Sequence, residues 1–97
     1  MTGRGARVEW RPAAQRDLDG IVRHIGRDSP NRAARFGQEI RDKVGRLARH
    51  AELGRPGRIS GVRELVVHPN YIVFYRVKRE VGVVEILRVK HAAQRMP

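Results

Sequence analysis

"GVRELVVHPNYIVFYRV", residues 61–77, decides the fold. Two runs rich in β-branched and aromatic residues stand on either side of Pro69-Asn70, the pattern of a β-hairpin closed by a tight turn. A sheet with one wet face alternates apolar and polar residues. Here apolar residues follow one another on both sides of the turn, so both faces are apolar at their centres and each requires a cover.

Working outward, strands are predicted over about Val62–His68, Tyr71–Val77 and Val83–His91, with residues 78–82 as the second turn. Counting pairs from a two-residue turn places Leu65, Phe74 and Ile86 in one row. Val67, Ile72 and Arg88 lie beside them, and Arg63, Arg76 and Val84 at the far end. The opposite face carries Val66, Val73 and Leu87, then Glu64, Tyr75 and Glu85, then His68, Tyr71 and Val89. A slip of one residue in the turn would exchange the two faces, because strand side chains alternate with period two.

Upstream, "AELGRPGRISG" (51–61) holds three glycines and a proline and reads as a loop. Before it, Ala14, Leu18, Ile21, Val22 and Ile25 recur at helical spacing from Pro12 to about Arg27. Ser29-Pro30 has the form of an N-cap followed by a first-turn proline, and Ala33, Phe36, Ile40, Val44 and Leu47 carry a second stripe to about Arg49. A turn this short makes the two helices antiparallel. "ARVEW" (6–10) alternates as a short strand. The fold class is α+β: a short N-terminal strand, a two-helix hairpin and a three-stranded antiparallel sheet, in one domain over residues 1–97. The helical hairpin covers one face, expected to be that of Val66, Val73 and Leu87. Too few residues remain to cover the other, so Leu65, Ile72, Phe74 and Ile86, rimmed by Arg63, Arg76 and Arg88, are expected to await a partner.

Lys and Arg number 21 against 10 Asp and Glu, a net charge of +11, which points to an anionic partner: nucleic acid, an acidic protein or an anionic membrane. Arginine outnumbers lysine 18 to 3, which a GC-rich coding sequence explains as readily as guanidinium chemistry. The absence of cysteine excludes disulfides and cysteine-ligated zinc. No signal-peptide core and no apolar run of membrane-spanning length is visible, so the chain reads as soluble and cytoplasmic, with no membrane partner.

Four histidines, His24, His50, His68 and His91, show no metal-ligand spacing, and no metal or cofactor is expected. "GRPGRISG" lacks the Gly-Lys-Ser/Thr ending of a phosphate loop, and neither Ser29 nor Ser60 has a base placed by any motif. His68, Tyr71 and His91 gather at one end of the sheet. There they form either a general acid-base site for RNA or an aromatic cluster that closes the sheet edge. Arg63, Arg76 and Arg88 suit phosphates or an acidic protein equally.

With "WRPAAQRDLDGIVRHI" in the first helix, "HPNYIVFYRV" in the hairpin and "VEILRVKHAAQRMP" at the close, the chain resembles the ParE branch of the ParE/RelE toxin superfamily over about residues 7–97. The resemblance implies a bacterial plasmid-stabilisation toxin of a type II toxin-antitoxin module. Its cognate antitoxin would have an acidic tail that wraps the toxin in a hetero-oligomer, and a DNA-binding N-terminus. The resemblance also bears on mechanism. RelE-like members cleave mRNA on the ribosome with basic sheet residues and a tail tyrosine that stabilise an anionic transition state and move protons. Aligned on Tyr75, one of those basic positions falls on Arg63, the others on Leu65, Ile72 and Ala92, and no tyrosine follows Tyr75. ParE-like members are described as trapping DNA gyrase on cleaved DNA without cutting RNA. The resemblance therefore implies a non-catalytic gyrase inhibitor. Its alternatives are a ribonuclease using His91, Arg63, Arg88 and Tyr71, and a basic nucleic-acid-binding module.

Overall fold

The computed structural model describes residues 5–93. Residues 94–97, the end of the stretch that carries the resemblance, lie outside the described residues. Seven elements follow in order: β1 (Arg7–Trp10), α1 (Pro12–Gly26), α2 (Pro30–Gly45), β2 (Arg55–Pro56), β3 (Arg63–His68), β4 (Tyr71–Lys78) and β5 (Val83–His91), with single 3-10 turns at Arg46–Ala48 and Arg79–Val81. The sheet order is β1-β5-β4-β3-β2. The α+β class and the helical hairpin match the sequence reading, and the sheet has five strands rather than three plus one.

Each helix begins as its residues dictate. Pro12 and Pro30 occupy first-turn positions, where a missing N–H costs nothing, and the Ser29 hydroxyl accepts from the Arg32 N–H at 3.2 Å. Leu18, Ala14, Phe36, Ile40, Val44 and Leu47 are buried against the sheet, as the two stripes predict. β1 lies parallel to β5 from Arg7↔Val83 to Trp10↔Ile86, and Arg11 N–H extends the ladder by donating to the Ile86 carbonyl.

The register corrects the assignment of faces. His68 does pair with Tyr71, but the next pair is Val66 with Ile72, leaving Val67 as an extra residue. This β-bulge displaces every earlier β3 side chain by one position. Leu65 therefore pairs with Val73, not Phe74, and turns toward the helices with 8 % of its surface exposed, whereas Val66, assigned to the core, is 56 % exposed. A second irregularity separates Phe74↔Arg88 from Tyr75↔Ile86, with Leu87 as its extra residue. Ile86 joins the helix-facing core with Leu65, Val67, Val73, Tyr75, Val84 and Val89. Gly82, at φ +65°, provides the left-handed turn from which β5 starts.

Two corrections follow for the surface expected to face a partner. Leu65 and Ile86 belong to the core under the helices. Ile72 and Phe74 do lie on the opposite face, but Phe74 is buried, because the chain supplies part of the second cover itself. Residues 57–62 come against it, and Ile59, Val62 and Phe74 share a small enclosed space. The loop is held there by β2, whose Arg55 and Pro56 pair with Glu64 and Arg63.

Candidate functional site

On the face away from the helices, Arg55, Arg58, Glu64, Ile72, Phe74 and Ala92 line an open depression of about 270 Å³. Positions 72 and 92, which the resemblance aligns with active-site arginines of the ribonuclease branch, do meet there. They bring a sec-butyl side chain and a methyl group, neither able to stabilise a phosphorane. The nearby cations are Arg58 and Arg55, both missed in the sequence because a glycine-rich loop gives no periodicity to place them. Arg55 is engaged with Glu64 at 3.2 Å.

The three arginines expected on a rim all have work within the fold. Arg63 pairs with Tyr75 on the helix side and donates to the Gly54 carbonyl at 2.6 Å and the Glu52 carbonyl at 3.3 Å. The Tyr75 hydroxyl, fully buried, donates to the Ala51 carbonyl at 2.7 Å and accepts from Gly54 N–H at 2.9 Å. Tyr75 and Arg63 thereby clamp residues 51–54. Gly54 is required in the clamp, since a Cβ would stand 2.6 Å from the Glu64 carbonyl oxygen and 2.8 Å from the Tyr75 ring. Arg76 sits 3.8 Å from Glu85, which also faces Arg11 at 3.7 Å and Lys78 at 3.6 Å.

Arg88 holds Asp17 of α1 through Nε and Nη2, at 2.7 and 3.0 Å, and Val89 N–H donates to the same carboxylate at 2.9 Å. β1 ends at Trp10, so the outer edge of β5 beyond Ile86 has no strand beside it. Asp17 satisfies that edge instead. Burial pushes the Asp17 carboxyl up, but the hydrogen bonds from Arg88 and Val89 and the nearby cations outweigh it and hold the group below its usual range. The Asp17 hydrogen bond correspondingly raises Arg88.

Tyr71 and His91 pair across β4 and β5, with ring centroids 5.4 Å apart, and Tyr71 also meets Phe36 at 5.4 Å and His68 at 5.8 Å. Both imidazoles accept from the backbone: His68 Nδ1 from Asn70 N–H at 3.1 Å, His91 Nδ1 from Ala93 N–H at 3.2 Å. These contacts close the sheet end, in keeping with the aromatic-cluster reading. Arg63 lies five residues along β3 from His68, roughly 16 Å away at the strand rise. The four groups of the ribonuclease alternative, His91, Arg63, Arg88 and Tyr71, are therefore not brought together. Among the described residues no three His, Asp or Glu side chains converge as metal ligands, and no helix is long and apolar enough to cross a membrane.

A second surface went unread in the sequence. Between the end of α2 and the outer edge of β3 runs a mainly apolar groove of about 420 Å³, lined by Lys43, Arg46, Leu53, Leu65 and Val66 among others. Leu53 is 51 % exposed. A lone leucine between Glu52 and Gly54 carries no pattern that would have marked it.

Residues 8–96 match the family described as the ParE toxin of type II toxin-antitoxin systems, parDE. Y4kP of Sinorhizobium fredii, which carries a toxin name, is 45 % identical over 92 residues, spanning 94 % of this chain and 93 % of that protein. Toxin RelE2 of Caulobacter vibrioides is 38 % identical over 89 residues, 92 % of this chain and 98 % of its own length. Among solved structures, the chromosomal ParDE system of P. aeruginosa superposes with a TM-score of 0.78 at 29 % identity, covering 89 % of this chain and 95 % of that one. The DinJ-YafQ complex of E. coli, at 13 % identity and a TM-score of 0.61, shares the fold. The chain belongs to the ParE toxins of type II toxin-antitoxin systems, within the ParE/RelE superfamily.

Proposed function

We propose that the chain is a cytoplasmic toxin that inhibits DNA gyrase by binding, has no catalytic residues of its own, and is neutralised by a cognate antitoxin. One observation carries the non-catalytic reading. The depression where the resemblance looks for transition-state cations is lined by Ile72, Phe74 and Ala92, while Arg63 and Arg88 are tied to Gly54 and Asp17. An anionic transition state needs preorganised donors aimed at it, and groups already bound elsewhere do not provide them.

A ribonuclease reading draws on Arg58, a cation on the rim of the same depression that no carboxylate of the described residues approaches within salt-bridge distance, and on the RelE names among the relatives. The two readings separate in cells. Induced expression in a susceptible bacterium is predicted to leave mRNA full-length while protein-linked DNA breaks accumulate. Transcripts cleaved within minutes, together with loss of cleavage in Arg58→Ala, would establish the ribonuclease.

A further inference from the structure

At the end of the sheet that the aromatic cluster closes, a pocket of about 340 Å³ opens between α2 and the β3–β4 turn. Its volume lies at the small end of ligand pockets, roughly 300–1,000 Å³. Arg32, Arg35, Phe36 and Glu39 reach it from α2, and His68 and Tyr71 from the sheet. The spacing of the first four, i, i+3, i+4 and i+7, sets them on one stripe of the helix. The fold leaves most of these polar groups without work. No carboxylate of the described residues comes within salt-bridge distance of Arg32 or Arg35, and no cation comes within that distance of Glu39. Tyr71 is held by ring contacts, and its hydroxyl makes no hydrogen bond among the described residues. His68 accepts the Asn70 N–H on Nδ1 at 3.1 Å, which leaves its proton on Nε2 as a donor.

Charge and aromaticity are ordered along the helix. Arg32 and Arg35 stand toward the N-terminal end of α2, where no acidic residue occupies the first turn and the helix dipole is itself positive. Cations at that end destabilise a helix unless an anion compensates them. Glu39 stands seven residues beyond Arg32, roughly 10 Å along the helix axis. Phe36 lies between them in the stripe, with the rings of His68 and Tyr71 each 5.4 Å from its own. A ligand that matches this order is anionic at one end, flat and aromatic in the middle, and a hydrogen-bond donor at the other end. A nucleotide has that order, from its phosphate to the N–H edge of its base. A bare anion would leave the rings and Glu39 unused.

We infer that the pocket beside the N-terminal half of α2 binds a single 5′-nucleotide, with its phosphate at Arg32 and Arg35, its base on the rings of His68 and Tyr71, and the N–H donors of the base on Glu39. Arginine suits the phosphate because its planar fork matches two phosphate oxygens at once. Aromatic rings suit any base, since every base has a π-face. The inference uses neither the gyrase nor the antitoxin reading and stands apart from both. The same base and phosphate also occur at the end of a nucleic-acid strand, but the volume of the pocket suits one nucleotide.

The test titrates the full chain with GMP, guanosine and inorganic phosphate and follows the backbone amide resonances. GMP is the probe because guanine presents adjacent N–H donors that one carboxylate accepts together. Arg32→Ala, Arg35→Ala and Glu39→Gln change exposed side chains and are expected to keep the wild-type circular dichroism. Arg16→Ala, at an exposed residue near the start of α1 and so at the far end of the antiparallel hairpin, is the control. GMP is expected to shift amides within 32–39 and 68–71 and to bind at least tenfold more tightly than guanosine or phosphate. Each arginine variant should bind GMP about tenfold more weakly, and Arg16→Ala as wild type. Glu39→Gln should weaken GMP without weakening phosphate. Phosphate that binds as tightly as GMP reduces the pocket to a plain anion site and overturns the inference. So does GMP binding that both arginine variants leave undiminished. No shift at roughly 5 mM GMP, enough to populate even a millimolar site, overturns it as well. A 5′-phosphorylated dinucleotide that binds more tightly than GMP with the same shifts gives the pocket to a strand end and overturns the assignment to a free nucleotide.

Discussion

Asp17 shows how one residue ties two elements. Its carboxylate closes the free edge of β5, binds Arg88 and joins α1 to the sheet, across 71 residues of sequence. In the sequence it stands among Arg16, Asp19 and Arg23 on the polar side of a helical stripe, indistinguishable from a solvated charge, because nothing local reports where β1 stops. Its pKa is lowered on folding, so the folded state favours the ionised form. The stability this gives is fully present above the ordinary carboxylate range, about pH 4, and is lost as pH falls through the lowered value. Asp17→Asn is predicted to cost about 2 kcal/mol at neutral pH, since a charge-assisted pair is replaced and Arg88 is left unpaired. It should also flatten part of the acid limb. The rest belongs to groups such as Glu52, which its hydrogen bond with Arg79 likewise lowers. Urea denaturation from pH 7 to pH 3 measures both effects. Tyr75→Phe, which leaves the Gly54 N–H and the Ala51 carbonyl without their hydroxyl partner, should cost about 1–3 kcal/mol in the same assay.

At the scale of elements, periodicity made the helices legible. Helical spacing is fixed by 3.6 residues per turn, and Leu18, Phe36, Ile40, Val44 and Leu47 are buried as their stripes require. The strands were legible in extent but not in register. A bulge adds one residue to one strand without altering its composition, and Val67 within "ELVVH" looks like any other valine. The Pro69-Asn70 turn was read correctly, yet the extra residue beside it reversed the faces of Leu65 and Val66. Substitutions check the corrected register. Val73→Ala is predicted to destabilise by about 2 kcal/mol and Phe74→Ala by about 3 kcal/mol, since both side chains are buried, on opposite faces of the sheet. Leu65→Asp should abolish folding, whereas Val66→Asp should leave the melting temperature unchanged. Thermal unfolding of the four variants decides it, and a folded Leu65→Asp beside an unfolded Val66→Asp would restore the bulge-free register.

For the whole molecule, the chain has one core, under the helices, and a second face only partly closed by residues 57–62. The chain carries a net charge of +11. That charge was legible from composition, and with it the expectation of an anionic partner. The groove between α2 and the outer edge of β3 was not, because it depends on a loop clamped by Tyr75 and Arg63 from elsewhere in the chain. The fold is shared with chains of systems named ParDE and RelBE2, and fold alone does not choose the target. The apolar Ile72 and Ala92 and the committed Arg63 and Arg88 do bear on it. They support the proposed inhibition by binding. The most direct measurement incubates the purified toxin with DNA gyrase, ATP and supercoiled plasmid, then traps cleavage complexes with detergent and protease. The account predicts linear plasmid that rises with toxin concentration and is suppressed by stoichiometric antitoxin, with RNA in a parallel ribosome assay left intact. Unaltered supercoiling and no linear product at excess toxin, alongside cleaved mRNA, would contradict it.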